Sequence, residues 1–278
     1  MAPLRRLGLV LGGGGIAGIA WHTGLLCGLA ECGVDLTSAH RLIGTSAGAT
    51  VAAQVGGGCA VEELFNRQVH PTSLASELTP KLSATELWEL MVPIYAESAD
   101  GDDRRRRLGR LALEAHTVDE AVRRRVVAAR LGGVGWEGAR VVVACEATTG
   151  QRQVFDAASG VDVVDAVAAS CAVPGVWPPV TIDGSRYIDG GIWSLTNSDL
   201  ATGCDLVVVF APLHDQAVHA ELAGLGTEVA SVVIAADSPS IAAFGSDVLD
   251  PAVREASARA GMTQGIGEAE RIAAVLAG

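Results

Sequence analysis

The pentapeptide Gly44-Thr45-Ser46-Ala47-Gly48 constrains this chain more than any other stretch. A short apolar segment, Arg41-Leu42-Ile43, precedes it, and the small residues from Ala47 to Gly56 that follow read as a buried helix. A serine between two glycines at a strand-to-helix junction is the pattern of a nucleophile elbow. The glycines permit a strained turn and leave room, so the hydroxyl stands exposed at a helix N-terminus. There the helix dipole favours the negative charge that develops during attack on a carbonyl.

The composition suits the framework such an elbow needs. With 278 residues the chain is long enough for a sizeable core. It is rich in Ala, Val and Gly and poor in aromatics, which fits helices packed closely on a parallel sheet. The fold class expected is α/β: a three-layer α/β/α arrangement with a mainly parallel central sheet and a helical insertion. One domain spans 1–278, with the insertion at about 60–130. A net charge of −12 argues against nucleic-acid binding, which needs a basic surface to neutralise phosphates. The six cysteines (Cys27, Cys32, Cys59, Cys145, Cys171, Cys204) are scattered without a C-x-x-C. They read as buried free thiols in a reducing cytoplasm, with no metal site.

Arg5-Arg6 followed by Leu7–Leu11 faintly resembles a signal peptide, but the apolar stretch ends at once in four glycines and reads instead as a first buried strand. The apolar run at 16–30 is interrupted by Gly18, His22, Gly24 and Gly28, so it is not a membrane span. Strand Leu7–Leu11, loop Gly12–Gly15, a helix from about Ala17 to Glu31, strand Arg41–Ile43 and the elbow make a βαβ opening. Residues 60–130 are charged and mostly helical, punctuated by Pro71, Pro80 and Pro93, with a loop at Ser98–Asp103. Strands are expected at Arg140–Cys145, Gln151–Phe155, Asp205–Phe210 and Val232–Ala236. Helices are expected at Val161–Ser170 and about Pro251–Leu276. A hairpin covers Val180–Ile188, with Asp183-Gly184 at its corner.

Glycines Gly12 to Gly15 end the first strand and open a helix, bringing bare backbone N–H groups to a ligand. One use of that geometry is pyrophosphate binding, since Gly13-x-Gly15-x-x-Gly18 satisfies G-x-G-x-x-G and Asp35 lies near the place of a ribose acid. That reading gives a nucleotide-binding oxidoreductase. The other use is an oxyanion hole. The elbow favours the second, because the next strand ends in Ser46, at the crevice of the sheet where ligands bind.

Asp189 follows the strand-like Arg186-Tyr187-Ile188 and precedes two glycines. Together, Gly13-Gly14-Gly15-Ile16-Ala17-Gly18, Gly44-Thr45-Ser46-Ala47-Gly48 and Asp189-Gly190-Gly191 resemble the motifs of the patatin-like phospholipase family. Ser170-Cys171-Ala172-Val173-Pro174-Gly175 supports the likeness. The resemblance implies a serine acyl hydrolase, of the lipase, esterase or phospholipase A type, acting on carboxylic esters of lipids. It implies Ser46 as nucleophile and Asp189 as base without a histidine, and an oxyanion hole around Gly13, Gly14, Gly15 and Gly18, with Ala47 as a further donor. Gly44 and Gly48 would shape the elbow. Neither metal nor cofactor is implied. The partners would be the lipid or acyl-ester substrate and, peripherally, a membrane. A non-catalytic patatin-like binding protein is the remaining alternative. The family's glycine loop usually carries Arg or Lys where this chain has Ala17. Backbone donors do not need that cation, so ester hydrolysis survives, but the expectation of an anionic phospholipid is weakened.

A Ser–His–Asp triad is the rival, since Ser46, Asp189 and His214 or His219 come in the α/β-hydrolase order. That fold places several strands before its elbow, whereas one βα unit precedes Ser46 here, so the dyad is preferred. Arg104–Arg107 and Arg123–Arg125 read either as anion binders or as solvated faces pairing with Asp119 and Glu120. Leu87, Trp88, Leu90, Met91 and Tyr95 read as an acyl-binding cap or as ordinary core.

Overall fold

The computed structural model describes residues 5–70, 77–138 and 140–278, with Ala84 described by its backbone alone. The break expected at Pro71 lies outside these residues. Strand β1 (Leu7–Leu11) runs through the glycine loop into α1 (Gly15–Glu31), and β2 (Arg41–Thr45) runs through Ser46 into α2 (Ala47–Gly56). Both strands are buried beyond their first residue, as apolar runs covered on two faces should be. The remaining strands are β3 (Arg140–Glu146), β4 (Arg152–Phe155), β5 (Val180–Ile182), β6 (Ser185–Asp189), β7 (Leu206–Ala211) and β8 (Ala230–Ala235).

The eight strands form one mixed sheet in the order β5-β6-β3-β2-β1-β7-β8, with β4 also paired to β3. The run β3-β2-β1-β7-β8 is parallel, as expected, whereas β4, β5 and β6 pair antiparallel. One detail of register places the site. Strand β4 covers one edge of β3 along Val142–Cys145, so β2 and β6 must share the other edge. Strand β2 ends there with Thr45 opposite Val143, and β6 arrives from the other direction with Asp189 opposite Ala144. The two strands abut end to end, which brings Asp189 to the turn carrying Ser46.

On one face of the sheet Leu9, Leu11, Leu42, Val208 and Phe210 pack under α1, α2, α3 (Val61–Val69), α9 (Ser238–Phe244) and α10 (Arg254–Ala277). On the other, Val10, Ile43, Val143, Val207 and Val209 meet the 3-10 turn Ser198–Ala201 and α8 (Val218–Ala223). The glycines that interrupt α1 serve close packing. A Cβ at Gly24 would lie 2.0 Å from the Ala258 carbonyl of α10.

Between α3 and β3 lie α4 (Ala84–Glu97), α5 (Gly101–Glu114) and α6 (Glu120–Leu131), each started by a side-chain cap: Ser83 with Glu86, Asp100 and Asp119. Pro93 lies inside α4 rather than ending it, and the loop expected at Ser98–Asp103 shrinks because Asp100 already caps α5. Helix α7 (Val163–Ser170) packs on β3. The β5–β6 corner is Asp183-Gly184, both at positive φ, as a type I′ hairpin turn requires. Of the six free cysteines, Cys32 is exposed and Cys59 half-buried, contrary to the expectation that all are buried. Among the described residues no helix is long and apolar enough to cross a membrane.

Candidate active site

Ser46 sits between β2 and α2 with φ 53° and ψ −114°, a strained conformation for a non-glycine residue. The flanking glycines are required by close approach. A Cβ at Gly48 would lie 1.9 Å from the Leu11 carbonyl oxygen, and one at Gly44 would lie 2.5 Å from Ala49 Cα. The elbow is therefore wedged against β1, and the Gly48 N–H donates to the Gly12 carbonyl at 3.1 Å. The same carbonyl lies 2.8 Å from Nε2 of His22. Burial pushes the His22 imidazole down to about 4, so at neutral pH it is uncharged and its Nε2–H donates to Gly12. His22 thus ties α1 to the same Gly12 carbonyl that receives the elbow's Gly48 N–H, a role its sequence neighbours do not signal.

Three consecutive residues at the C-terminal end of α7 hold the rest. The Ser46 N–H donates to Ser170 Oγ at 2.9 Å, Cys171 Sγ donates to the Ser46 carbonyl, and the Asp189 N–H donates to the Ala172 carbonyl. Asn197, also buried, donates through Nδ2 to Thr45 Oγ1 at 3.1 Å and braces the end of β2.

Asp189 is 5 % exposed. Its Oδ1 accepts the Gly191 N–H at 2.7 Å, while Oδ2 is buried with no hydrogen-bond partner among the described residues. Burial pushes the carboxyl up to about 7, opposed by the nearby Ser46 hydroxyl and the Gly191 N–H. The Ser46 hydroxyl is thus close enough to act on the carboxyl without making a bond of normal geometry to Oδ2, a looseness usual before substrate binds. An aspartate held near 7 is a far better base than an ordinary one near 3.9.

Both residues open onto one cleft of about 310 Å³, lined by Gly13–Gly15, Ser46, Asp189 and the apolar Leu87, Trp88, Met91, Tyr95, Ile192, Leu195 and Leu249, among others. Of the glycines expected to donate to an oxyanion, two are already engaged. Gly13 N–H donates to Leu195 O at 2.8 Å and Gly18 N–H to Gly14 O at 2.8 Å. Gly14 and Gly15 stand at the start of α1 and Ala47 at the start of α2, where backbone N–H groups lack intrahelical acceptors. These three are the donors that remain.

The nucleotide reading fails on the same loop. Asp35 is spent on a local turn, accepting from the Thr37 N–H and hydroxyl at 2.8 and 2.7 Å, and it does not line the cleft. His214 and His219 are exposed and also lie off the cleft, so neither faces Asp189 there. A hollow of about 480 Å³ at Arg6, Arg41 and Arg140 lies at the opposite, N-terminal ends of the strands and contains no serine nucleophile.

The arginine runs do not pair with Asp119 and Glu120. Arg124 pairs with Asp165, Glu120 accepts from Thr181, and Arg105 stacks on Trp193. Arg123 is buried over the Trp177 ring.

Residues 9–200 match the family model described as patatin-like phospholipase. The chain belongs to the patatin-like phospholipase family. Membership in this family carries a general lipid-hydrolase function. Similar solved structures include VipD from Legionella pneumophila, at 13% identity and TM-score 0.47, covering 97% of this chain and 67% of that one. The type III effector protein ExoU is 19% identical with TM-score 0.43, covering 97% of this chain and 53% of its own. Full-length ExoU from Pseudomonas aeruginosa, in complex with full-length SpcU, is 16% identical with TM-score 0.38 and covers 95% and 53%. This patatin-like chain therefore spans about two thirds of VipD and about half of ExoU.

Proposed function

We propose that the protein is a serine acyl hydrolase that cleaves carboxylic esters of lipids through a Ser46–Asp189 dyad and an acyl-enzyme. It would do so as one domain over 1–278, a three-layer α/β/α scaffold with the helical insertion at about 60–130. The observation that carries this reading is the pairing of a strained, cleft-facing Ser46 with a buried Asp189 whose Oδ2 is free and whose carboxyl is pushed up to about 7.

Ser46 Oγ attacks the acyl carbon as Asp189 Oδ2 takes its proton, and the carbonyl electrons move onto the oxygen. The N–H groups of Gly14, Gly15 and Ala47 hold that oxyanion; losing one such donor costs roughly 2.7–4 kcal/mol in other hydrolases. Collapse breaks the ester C–O bond, and the departing alcohol takes the proton from Asp189. Asp189 then removes a proton from water, the hydroxide attacks the acyl-serine, and Ser46 leaves with that proton, releasing the carboxylic acid.

The apolar cleft supports an acyl chain as the group bound. The exposed Trp88, Leu90, Val92 and Tyr95 of α4 offer a surface for peripheral contact with a lipid phase. The free thiols fit a cytoplasmic setting. The test is hydrolysis of a short p-nitrophenyl ester by wild type and Ser46→Ala. Activity confined to the wild type supports the reading, and activity retained without the Ser46 hydroxyl overturns it.

A further inference from the structure

The loop from Gly190 to Asn197 begins beside Asp189 and reaches the other two parts of the site. Its Leu195 carbonyl takes the Gly13 N–H of the glycine loop at 2.8 Å, and Asn197 Nδ2 donates to Oγ1 of Thr45, the residue before Ser46, at 3.1 Å. The same nitrogen donates to the Ser194 carbonyl at 2.6 Å and lies 3.5 Å from the carbonyl of Gly190, the residue after Asp189. The Gly190 carbonyl also accepts the N–H groups of Trp193 and Ser194 at 3.1 and 3.3 Å, which folds the loop back on Asp189. One amide therefore joins the residue before Ser46 to the turn that follows Asp189.

The surroundings allow that amide a single orientation. Asn197 and Thr45 are fully buried. Carbonyls accept and cannot donate, so the atom facing Ser194 and Gly190 must be the nitrogen. Arg152 Nη1 donates to Asn197 Oδ1 at 3.4 Å, and a guanidinium offers donors only. Arg152 is itself held by Asp199 at 2.7 Å and lies 5.3 Å from the Trp193 ring centroid, with Arg105 of α5 at 4.2 Å from the same ring. The Asn197 backbone sits at φ 52°, ψ 38°, in the left-handed region that asparagine tolerates better than most residues. Asn197 does not line the cleft, so none of these bonds serves contact with substrate.

We propose that Asn197 is a positioning residue of the dyad, whose side-chain amide holds the Ser46 elbow and the Asp189 turn at one separation. The proposal rests on the Ser46–Asp189 reading. This tie is separate from the end of α7, where Ser170 and Ala172 take the backbone N–H groups of Ser46 and Asp189. A misplacement of about 1 Å between reacting groups can cost on the order of a hundredfold in rate. A side chain that touches no substrate can therefore govern turnover.

The experiment compares wild type, Asn197→Gly, Thr45→Val, the two combined, and Thr45→Ser on p-nitrophenyl butyrate. The kcat is expressed per serine titrated by a fluorophosphonate, so that unfolded protein is not counted. Glycine accepts the left-handed backbone, so Asn197→Gly removes the amide without straining the turn. Thr45→Val removes the acceptor and keeps its shape. Each single variant should lose at least about tenfold in kcat per titrated site with KM within about twofold, because Asp189 serves acylation and deacylation alike. The combined variant should be close to the slower single one, since both changes remove one bond, and Thr45→Ser should recover most of the rate. A smaller loss in Asn197→Gly, an effect on KM in place of kcat, or losses that multiply in the combined variant overturn the proposal. Should Asn197→Gly fail to fold, Thr45→Val against Thr45→Ser decides it, and equal rates for those two overturn it. Ser46→Ala separates the two claims. Hydrolysis retained there removes the dyad and the positioning role with it, whereas hydrolysis lost there but undiminished in Asn197→Gly keeps the dyad and removes the role of Asn197.

Discussion

Ser170 and Ala172 stand two residues apart and hold the two halves of the proposed dyad. Ser170 Oγ accepts the Ser46 N–H at 2.9 Å, and the Ala172 carbonyl accepts the Asp189 N–H at 3.0 Å. The elbow and the aspartate arrive from opposite directions along one edge of β3, and the end of α7 pins both. Their separation is thus set from one short stretch of chain, through the buried Ser170 hydroxyl and the Ala172 carbonyl, as a preorganised site requires.

Asp189 should lower the stability of the folded protein as pH rises. Its folded carboxyl keeps a proton up to about 7, while the unfolded chain releases it near the ordinary 3.9. Between those values the native state binds more protons, so stability falls with rising pH. The loss is on the order of 4 kcal/mol at most once the group is fully ionised. Asp189→Asn, which can still accept the Gly191 N–H, should therefore melt higher than wild type at pH 8.5 and nearly equal it at pH 4. A variant that melts lower at pH 8.5 would show that the buried charge is not a strained one.

His22 acts in the opposite sense. Its folded value of about 4 lies below the usual 6.5, so the unfolded state binds the extra proton and stability is lost as pH falls through this window. At pH 5 the loss is about 2 kcal/mol. His22→Gln retains an N–H for the Gly12 carbonyl and carries no titration, so its melting temperature should drop less than that of wild type between pH 7 and pH 5. Equal drops would remove His22 from the acid sensitivity.

The apolar cleft predicts chain-length dependence. Each methylene buried contributes about 0.8 kcal/mol, so kcat/KM should rise by up to roughly fourfold per added carbon until the cleft is filled. Trp88, Met91 and Tyr95 line the cleft from α4. Trp88→Ala should flatten the series measured on p-nitrophenyl esters. An unchanged slope would take Trp88 out of the acyl site, and a flat wild-type series would count against an acyl pocket.

What the sequence made legible was local. The elbow, the glycine loop and Asp-Gly-Gly are short patterns whose backbone demands only glycine meets, and the structure brings them to one cleft. The stretch Ser170-Cys171-Ala172 stood out as a motif, but its pinning role was not legible, because Ser46 and Ser170 lie 124 residues apart and nothing local says which backbone groups they meet. The donor set of the glycine loop differs from the expected one for the same reason, since Gly13 gives its N–H to Leu195, far along the chain. Arg123, Arg124 and Arg125 look alike in sequence. Packing against Trp177 turns the first inward, while Arg124 pairs with Asp165 and Arg125 stays exposed. Pro93 read as a break because proline removes an N–H, yet α4 continues through it.

The most direct test of the dyad is the rate at which a fluorophosphonate labels Ser46, followed by intact mass and peptide mapping between pH 5 and pH 9. The account predicts a single modified residue, Ser46, and a rate that rises through one titration near pH 7 as Asp189 loses its proton. His214→Ala and His219→Ala should follow the same curve, and Asp189→Asn should label at least a hundredfold more slowly at pH 9, with no titration near 7 and a gap to wild type that narrows toward pH 5. Label on another residue, or a pH curve that persists in Asp189→Asn and vanishes in either histidine variant, would contradict it.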